Sequence, residues 1–186
     1  LIDNFEIDEI ISSDTNVIKK SKNCQQGQKW EWDGVNFEVL SPPSDFQGND
    51  NNRSCVLKIW NKYHSLLLTG DIQKQSEKAL LQLNPQKLKV DIISVPHHGS
   101  KTSSSIHFVQ QIHAKVAIAS LAKNNQWGLP SPIVKQRYKD QGINWWDTGN
   151  AGQISIQFEE NNWSIRSLRQ QQYDPWYRQI VRKGLE

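Results

Sequence analysis

The chain has 186 residues, 36% of them hydrophobic and 22% charged, with a net charge of +3 and a mean hydropathy of −0.70. That length suits one mid-sized domain, with or without a tail, and can bury a core without disulfide staples. No long apolar run, glycine period or heptad repeat occurs and eight Trp are present, which excludes a membrane span within these residues, a fibrous rod and a fully disordered chain.

Leu1 to Phe5 show neither an initiator Met nor a signal core, and Met is absent throughout, so the chain reads as a processed or excised piece. Ile7 to Ser12 are expected to form a short strand, followed by a polar loop with a helical turn near Asn16 to Ser21. Apolar alternation on either side of Asp33-Gly34 predicts a tight hairpin over Trp30 to Leu40, ended by Ser41-Pro42-Pro43. Asp45 to Arg53 read as a surface loop. Cys55 to Trp60 and His64 to Thr69 predict a second hairpin across Asn61-Lys62, and the continuous run Leu66-Leu67-Leu68 predicts a strand covered on both faces.

A helix is expected over Ile72 to Leu83, stopped by Asn84-Pro85, and a buried strand over Val90 to Val95. Ser103 to Ile112 read as a helix capped by Ser103 or Ser104, Ala114 to Ser120 as a strand and Asn124 to Leu129 as a loop. Ser131 to Gln141 combine a cap with a first-turn proline, a helix start signal. Strands over 143–146, 153–158 and 163–168 close the domain. Trp30, Trp32, Trp60, Trp145 and Trp146 fall in strands and are expected in the core. The order predicts an α/β fold with mixed sheets in residues 1–168, and a basic tail or short helix in 169–186. Cys24 and Cys55 fit neither a zinc knuckle nor a redox pair. They read either as two free thiols or as one disulfide, the latter in an oxidising compartment.

Two strand ends carry chemistry. Thr69-Gly70-Asp71 places a carboxylate directly after one buried strand, and Pro96-His97-His98-Gly99-Ser100 places two imidazoles after the next. In α/β sheets ligands gather beyond the carboxyl ends of strands, so Asp71 and the His pair are candidates for one site. A carboxylate and a neutral imidazole are divalent-metal donors. Each motif alone is an ordinary turn or cap; their order, one helix apart, raises the chemical reading. Ser100, Lys101, Thr102 and Ser103 offer hydroxyls, amides and a cation to a phosphate, or simply cap the next helix.

Leu67 to Ile72, Glu77, Leu80-Leu81 and Asp91 to Ser105, together with Cys24, Trp30 to Leu40, Ser54 to Leu57, Ser120, Asn124 and Pro130, resemble the C-terminal domain of the ComEC family of DNA-uptake proteins, in the metallo-β-lactamase superfamily. The resemblance implies a metallo-β-lactamase-like αββα sandwich with mixed sheets, incomplete at its N-terminus. It implies a nuclease that degrades the non-transforming strand with two divalent ions, Mn or Zn, and few or none in this piece alone. On that carry-over Asp71 bridges the metals and His98 is the first choice of ligand; His97 is either the ligand instead or contacts the scissile phosphate. Strand alternation would keep the two imidazoles from sharing one target.

The implied partners are DNA, a membrane channel portion of the parent protein and other competence proteins, with the domain on the periplasmic face of the inner membrane or, alternatively, the cytoplasmic one. Two departures stand out. A His-x-His-x-Asp-His cluster is expected upstream of Leu1 and does not occur in these residues, and Leu129 stands where the family pattern has His. A non-catalytic DNA-binding or assembly module, and a hydrolase of small phosphodiesters, are the competing expectations.

Overall fold

The protein's structure, a computed structural model, describes residues 7–18, 20–83 and 85–169. Two short strands, β1 (Ile11–Ser12) and β2 (Lys22–Asn23), pair in parallel at the start. A meander follows: β3 (Lys29–Trp32), β4 (Val35–Ser41), β5 (Val56–Trp60) and β6 (Ser65–Leu68). Asp33 and Gly34 both adopt positive φ, 49° and 75°, as a two-residue hairpin turn of that hand requires.

The chain then alternates helix and strand: α1 (Lys74–Leu83), β7 (Ile92–Ser94), α2 (Ile106–Ile112), β8 (Val116–Ala119), α3 (Pro132–Asp140) and β9 (Asn144–Asp147). A short helix, α4 (Thr148–Ala151), leads to the hairpin β10 (Ile154–Phe158) and β11 (Trp163–Ser167). Strands β3 to β9 form one seven-stranded mixed sheet in sequence order, antiparallel from β3 to β6 and parallel from β6 to β9. The α/β class with a mixed sheet is therefore the one expected.

Parallel neighbours need crossovers, and α1, α2 and α3 supply them. Their apolar stripes (Leu80; Phe108, Val109 and Ile112; Val134 and Tyr138) join Leu67, Ile93, Ala117 and Ala119 of the sheet in one buried core. The alternate positions Leu66, Ile59 and Ile118, on the opposite sheet face, remain half-buried. The functional consequence is direction. β6, β7, β8 and β9 all run the same way, so the segments after each of them emerge along one edge of the sheet.

Several expectations shift. The first strand shrinks to Ile11–Ser12. The 45–53 loop is not all surface: Asn52 is buried, because its carboxamide is taken up by α1. Helix α2 begins at Ile106, after Ser103 and Ser104 have both been buried beneath it, so neither serves as its cap. Trp32 is 71% exposed at the hairpin tip and Trp30 stacks on Phe37 at the sheet edge, so these two are not core. Helix α4 was not foreseen; Asp147 caps it by accepting from the Asn150 N–H. Residues 170–186 of the expected basic tail lie outside the described residues.

Cys24 and Cys55 form a disulfide that closes a loop across 31 positions, with Cα atoms 5.9 Å apart. Constraining a loop of that length in the unfolded chain stabilises the fold by about 3–4 kcal/mol. Unfolding in urea with and without a thiol reductant should show that loss, and Cys24→Ser should show it without reductant.

Candidate functional site

Three segments converge where β6, β7 and β8 end. Thr69 is buried; its N–H donates to Ser94 Oγ at 2.9 Å and its hydroxyl to Ser94 O at 2.8 Å, fastening the end of β6 to β7. Gly70 follows at φ +54°, and a Cβ there would lie 2.8 Å from Ser54 Cβ, so both conformation and space demand glycine. That turn points Asp71 along the sheet edge, with its N–H donating to Ser54 Oγ at 3.1 Å.

The turn after β7 is bent more severely. His97 (φ 47°, ψ 43°) and His98 (φ 55°, ψ 20°) are both left-handed, and Gly99 follows at φ +81°. Left-handed non-glycine residues cost about 1–3 kcal/mol each and gather at functional sites. The surroundings hold them there: His97 N–H donates to Gly70 O at 3.2 Å, and Ser131 N–H donates to Gly99 O at 2.9 Å. A Cβ on Gly99 would meet Pro130 at 2.8 Å.

This turn separates the two imidazoles. His98 reaches Asp71, Nε2 to Oδ1 at 3.4 Å, with side chains 46% and 42% exposed. His97 turns the other way, with Nδ1 at 3.1 Å from Thr102 Oγ1 and 3.3 Å from Gln73 Nε2, and Nε2 at 3.4 Å from Asn51 Nδ2. The divergence expected from strand alternation is present, but its cause is the left-handed turn, since neither residue is extended.

The donor logic at His98 is definite. Nδ1 lies 2.6 Å from the Ser120 carbonyl, which can only accept, so Nδ1 carries the proton. Nε2 faces the Asp71 carboxylate. A carboxylate and an imidazole nitrogen turned to one space suit a proton or a cation between them. In kind, a carboxylate and an imidazole anchored through Nδ1–H fit a divalent metal. In number they do not, because catalytic metals usually take three protein ligands and, among the described residues, no group of three or more His, Cys, Asp or Glu lies together. Asp71 and His98 are therefore not a metal site by themselves.

The remaining candidates fare differently. Lys101 and Thr102 are exposed and Ser100 is half-buried, its hydroxyl 3.0 Å from that of Thr102. Ser103 is fully buried; its hydroxyl donates to Pro96 O and Ser100 O, so it has nothing to offer a ligand. Its part is to close the turn beneath the histidines.

Sequence reading missed the polar groups that hold this edge. Asn52 Oδ1 accepts from the N–H groups of Gln73 and Ser76, capping α1 from a distance. Glu77 is wholly buried, and its carboxylate accepts from the N–H groups of Ser104 and Ser105, the latter at 2.8 Å. Arg137 holds the same segment, donating to Ser104 O at 2.8 Å. The signals were present in kind, an Asn-rich run and an acid on the apolar side of a helix, but the turn-forming composition of the first assigned it to a surface loop.

No family model matches the chain. Over 156 residues it is 42% identical to the protein YcaI of Escherichia coli, a match covering 84% of this chain and 21% of that protein. Recombination protein 2 of Haemophilus influenzae is 34% identical over 161 residues, 85% of this chain and 20% of the relative. Competence protein ComA of Neisseria gonorrhoeae is 32% identical over 153 residues, 82% and 22%. A solved Thermotoga maritima structure that bears the name of a Zn-dependent hydrolase of the metallo-β-lactamase superfamily aligns with a TM-score of 0.38 and 15% identity. It covers 71% of this chain and 67% of that one.

Glu77 sets a pH dependence. Burial pushes its carboxyl above the ordinary value of 4.5, outweighing the hydrogen bonds from Ser105 and Ser104 and the charge of Lys74. A raised folded value means the group's contribution is complete below 4.5 and is lost as pH rises through the raised value. The urea midpoint followed from acid to neutral pH should show this loss, and Glu77→Gln should flatten it. The chain spans about a fifth of the length of the curated relatives it matches, which include a competence protein and a recombination protein.

Proposed function

We propose that the chain is the hydrolytic portion of a DNA-uptake protein, a metal-dependent phosphodiesterase that degrades the non-transforming strand. The observation that carries this reading is the pairing of Asp71 and His98 at 3.4 Å, delivered by the ends of two adjacent parallel strands. In this reading both side chains are metal ligands, the complete site takes two divalent ions, Mn or Zn, and further ligands are required. His97, which Gln73, Asn51 and Thr102 hold turned away from the pair, contacts the scissile phosphate in this reading, with Ser100, Lys101 and Thr102 along the strand's path. The names of the competence and recombination relatives support the setting.

The partners under this reading are DNA, a membrane channel and other competence proteins. The Cys24–Cys55 disulfide favours the periplasmic face, because disulfides persist in oxidising compartments. Among the described residues no helix is long and apolar enough to cross a membrane. The metallo-β-lactamase-like sandwich belongs to the same reading.

A second reading has its own support: two donors are short of a metal site, which favours a non-catalytic DNA-binding or assembly module. One set of measurements separates the two. Cleavage of labelled single-stranded DNA by the protein carrying this chain, with Mn²⁺ or Zn²⁺, should fall by more than about 100-fold in Asp71→Ala and in His98→Ala, beyond the toll of losing an outer-shell partner. Cleavage that persists in Asp71→Ala refutes the assignment of Asp71 as a metal ligand and of this pair as the catalytic site. Salt-dependent DNA binding that survives both Asp71→Ala and chelation, with no cleavage, establishes the module instead.

A further inference from the structure

Beside the paired Asp71 and His98 lies a loop, residues 120–131, with an exposed aromatic near its centre. We infer that Trp127 is a stacking platform for an unpaired nucleobase, which makes the site selective for single strands; the inference rests on the phosphodiester reading above.

Both ends of the loop are fixed to the histidine turn. At one end Ser120 O receives the His98 Nδ1–H at 2.6 Å. At the other, Ser131 N–H donates to Gly99 O at 2.9 Å, and Pro130 packs so closely that a Cβ on Gly99 would lie 2.8 Å from the proline's own Cβ. The interior is latched by Asn125, whose Oδ1 accepts from Leu129 N–H at 2.9 Å and whose amide donates to Ala122 O at 2.9 Å and Leu129 O at 2.7 Å. Gly128 N–H closes the same turn onto Asn125 O.

Against that rigid frame Trp127 is 72% exposed. It precedes Pro130 by three residues, so its Cα lies within about 11 Å of the residue packed on Gly99. An aromatic ring held in water by an ordered loop forgoes a large burial that a flat partner would restore. Lys123, exposed on the same loop four residues before Trp127, and Lys101, exposed just after the histidine turn, each offer a cation to a polyanion. Every nucleobase has a flat apolar face, but within a duplex those faces are already stacked. A single aromatic ring beside a phosphodiester site therefore takes the base of an unpaired strand in preference to paired DNA.

Trp32 supplies the control. It is equally exposed, but its hairpin turn lies at the opposite end of the sheet from Asp71 and His98.

The test measures binding of a fluorescent oligodeoxythymidine, an abasic strand with the same number of phosphates, and a duplex to the 186-residue chain by anisotropy. Trp127→Ala should weaken the thymidine strand by about 5- to 150-fold, the weight of one stacked base, and leave the abasic strand unchanged. Trp127→Phe should restore most of the affinity and Trp32→Ala should have no effect, with the melting temperature unaltered throughout because the ring is exposed. If Trp127→Ala weakens both single strands equally, or neither, stacking is overturned while the phosphodiester reading stands on its Asp71 test. If the unaltered chain binds the abasic strand or the duplex as tightly as the thymidine strand, stacking is overturned likewise. If it binds no DNA, stacking is overturned, and the phosphodiester reading is decided by its own Asp71 test. If Trp127→Ala changes the oligomeric state and not DNA binding, the residue docks protein and the inference is overturned.

Discussion

A single backbone hydrogen bond, from His97 N–H to Gly70 O at 3.2 Å, joins the two turns on which the candidate site is built. Gly70 belongs to the turn after β6 and His97 to the turn after β7, and parallel pairing of those strands brings the turns side by side. The bond sets how His97 enters its left-handed conformation. That conformation, repeated at His98, swings one imidazole toward Asp71 and the other toward Gln73 and Asn51. In a regular extended or helical path the same dipeptide would aim its rings elsewhere. Two strained residues in succession persist only where their surroundings over-determine them.

Those surroundings are mostly buried polar groups. Glu77, from α1, accepts the N–H groups at the start of α2; Asn52, from the loop before β5, accepts those at the start of α1; Ser103 closes the turn between the histidines and α2. Glu77 and Asn52 satisfy N–H groups that a helix start leaves without partners, and Ser103 satisfies carbonyls of the turn. Together they bind the meander half of the sheet to the parallel half at the edge where Asp71 and His98 meet. Because they are buried, removing one leaves its backbone partners unsatisfied, which costs more than the bond itself contributes.

Much of the fold was legible in the chain. Alternation and turn residues located the β3–β4 and β5–β6 hairpins, apolar periodicity located α1 and α2, and a cap with a first-turn proline located α3, each to within a few residues. The juxtaposition of Asp71 with a histidine was legible too, because strand order and the short helix between them left the two turns neighbours. The exposure of Trp32, the burial of Asn52 and Ser103 and the helix at Thr148–Ala151 were not. A tryptophan in an alternating strand looks the same whether its face is covered or open, and a polar residue in a polar run gives no sign that its amide has left water.

What the amino-acid order determined by itself was local: where hydrophobic spacing changes period, where glycine permits a left-handed turn, and which donors stand at the ends of strands. Tertiary structure alone decided which histidine meets Asp71, that Cys24 and Cys55 are bridged, and that the loop carrying an exposed tryptophan is fastened at both ends to the histidine turn. The reason is that these depend on contacts between segments far apart in the chain. Ser120, Gly99 and Pro130 meet only once three parallel strands are aligned, and no spacing within a segment encodes how a distant carbonyl will orient a ring.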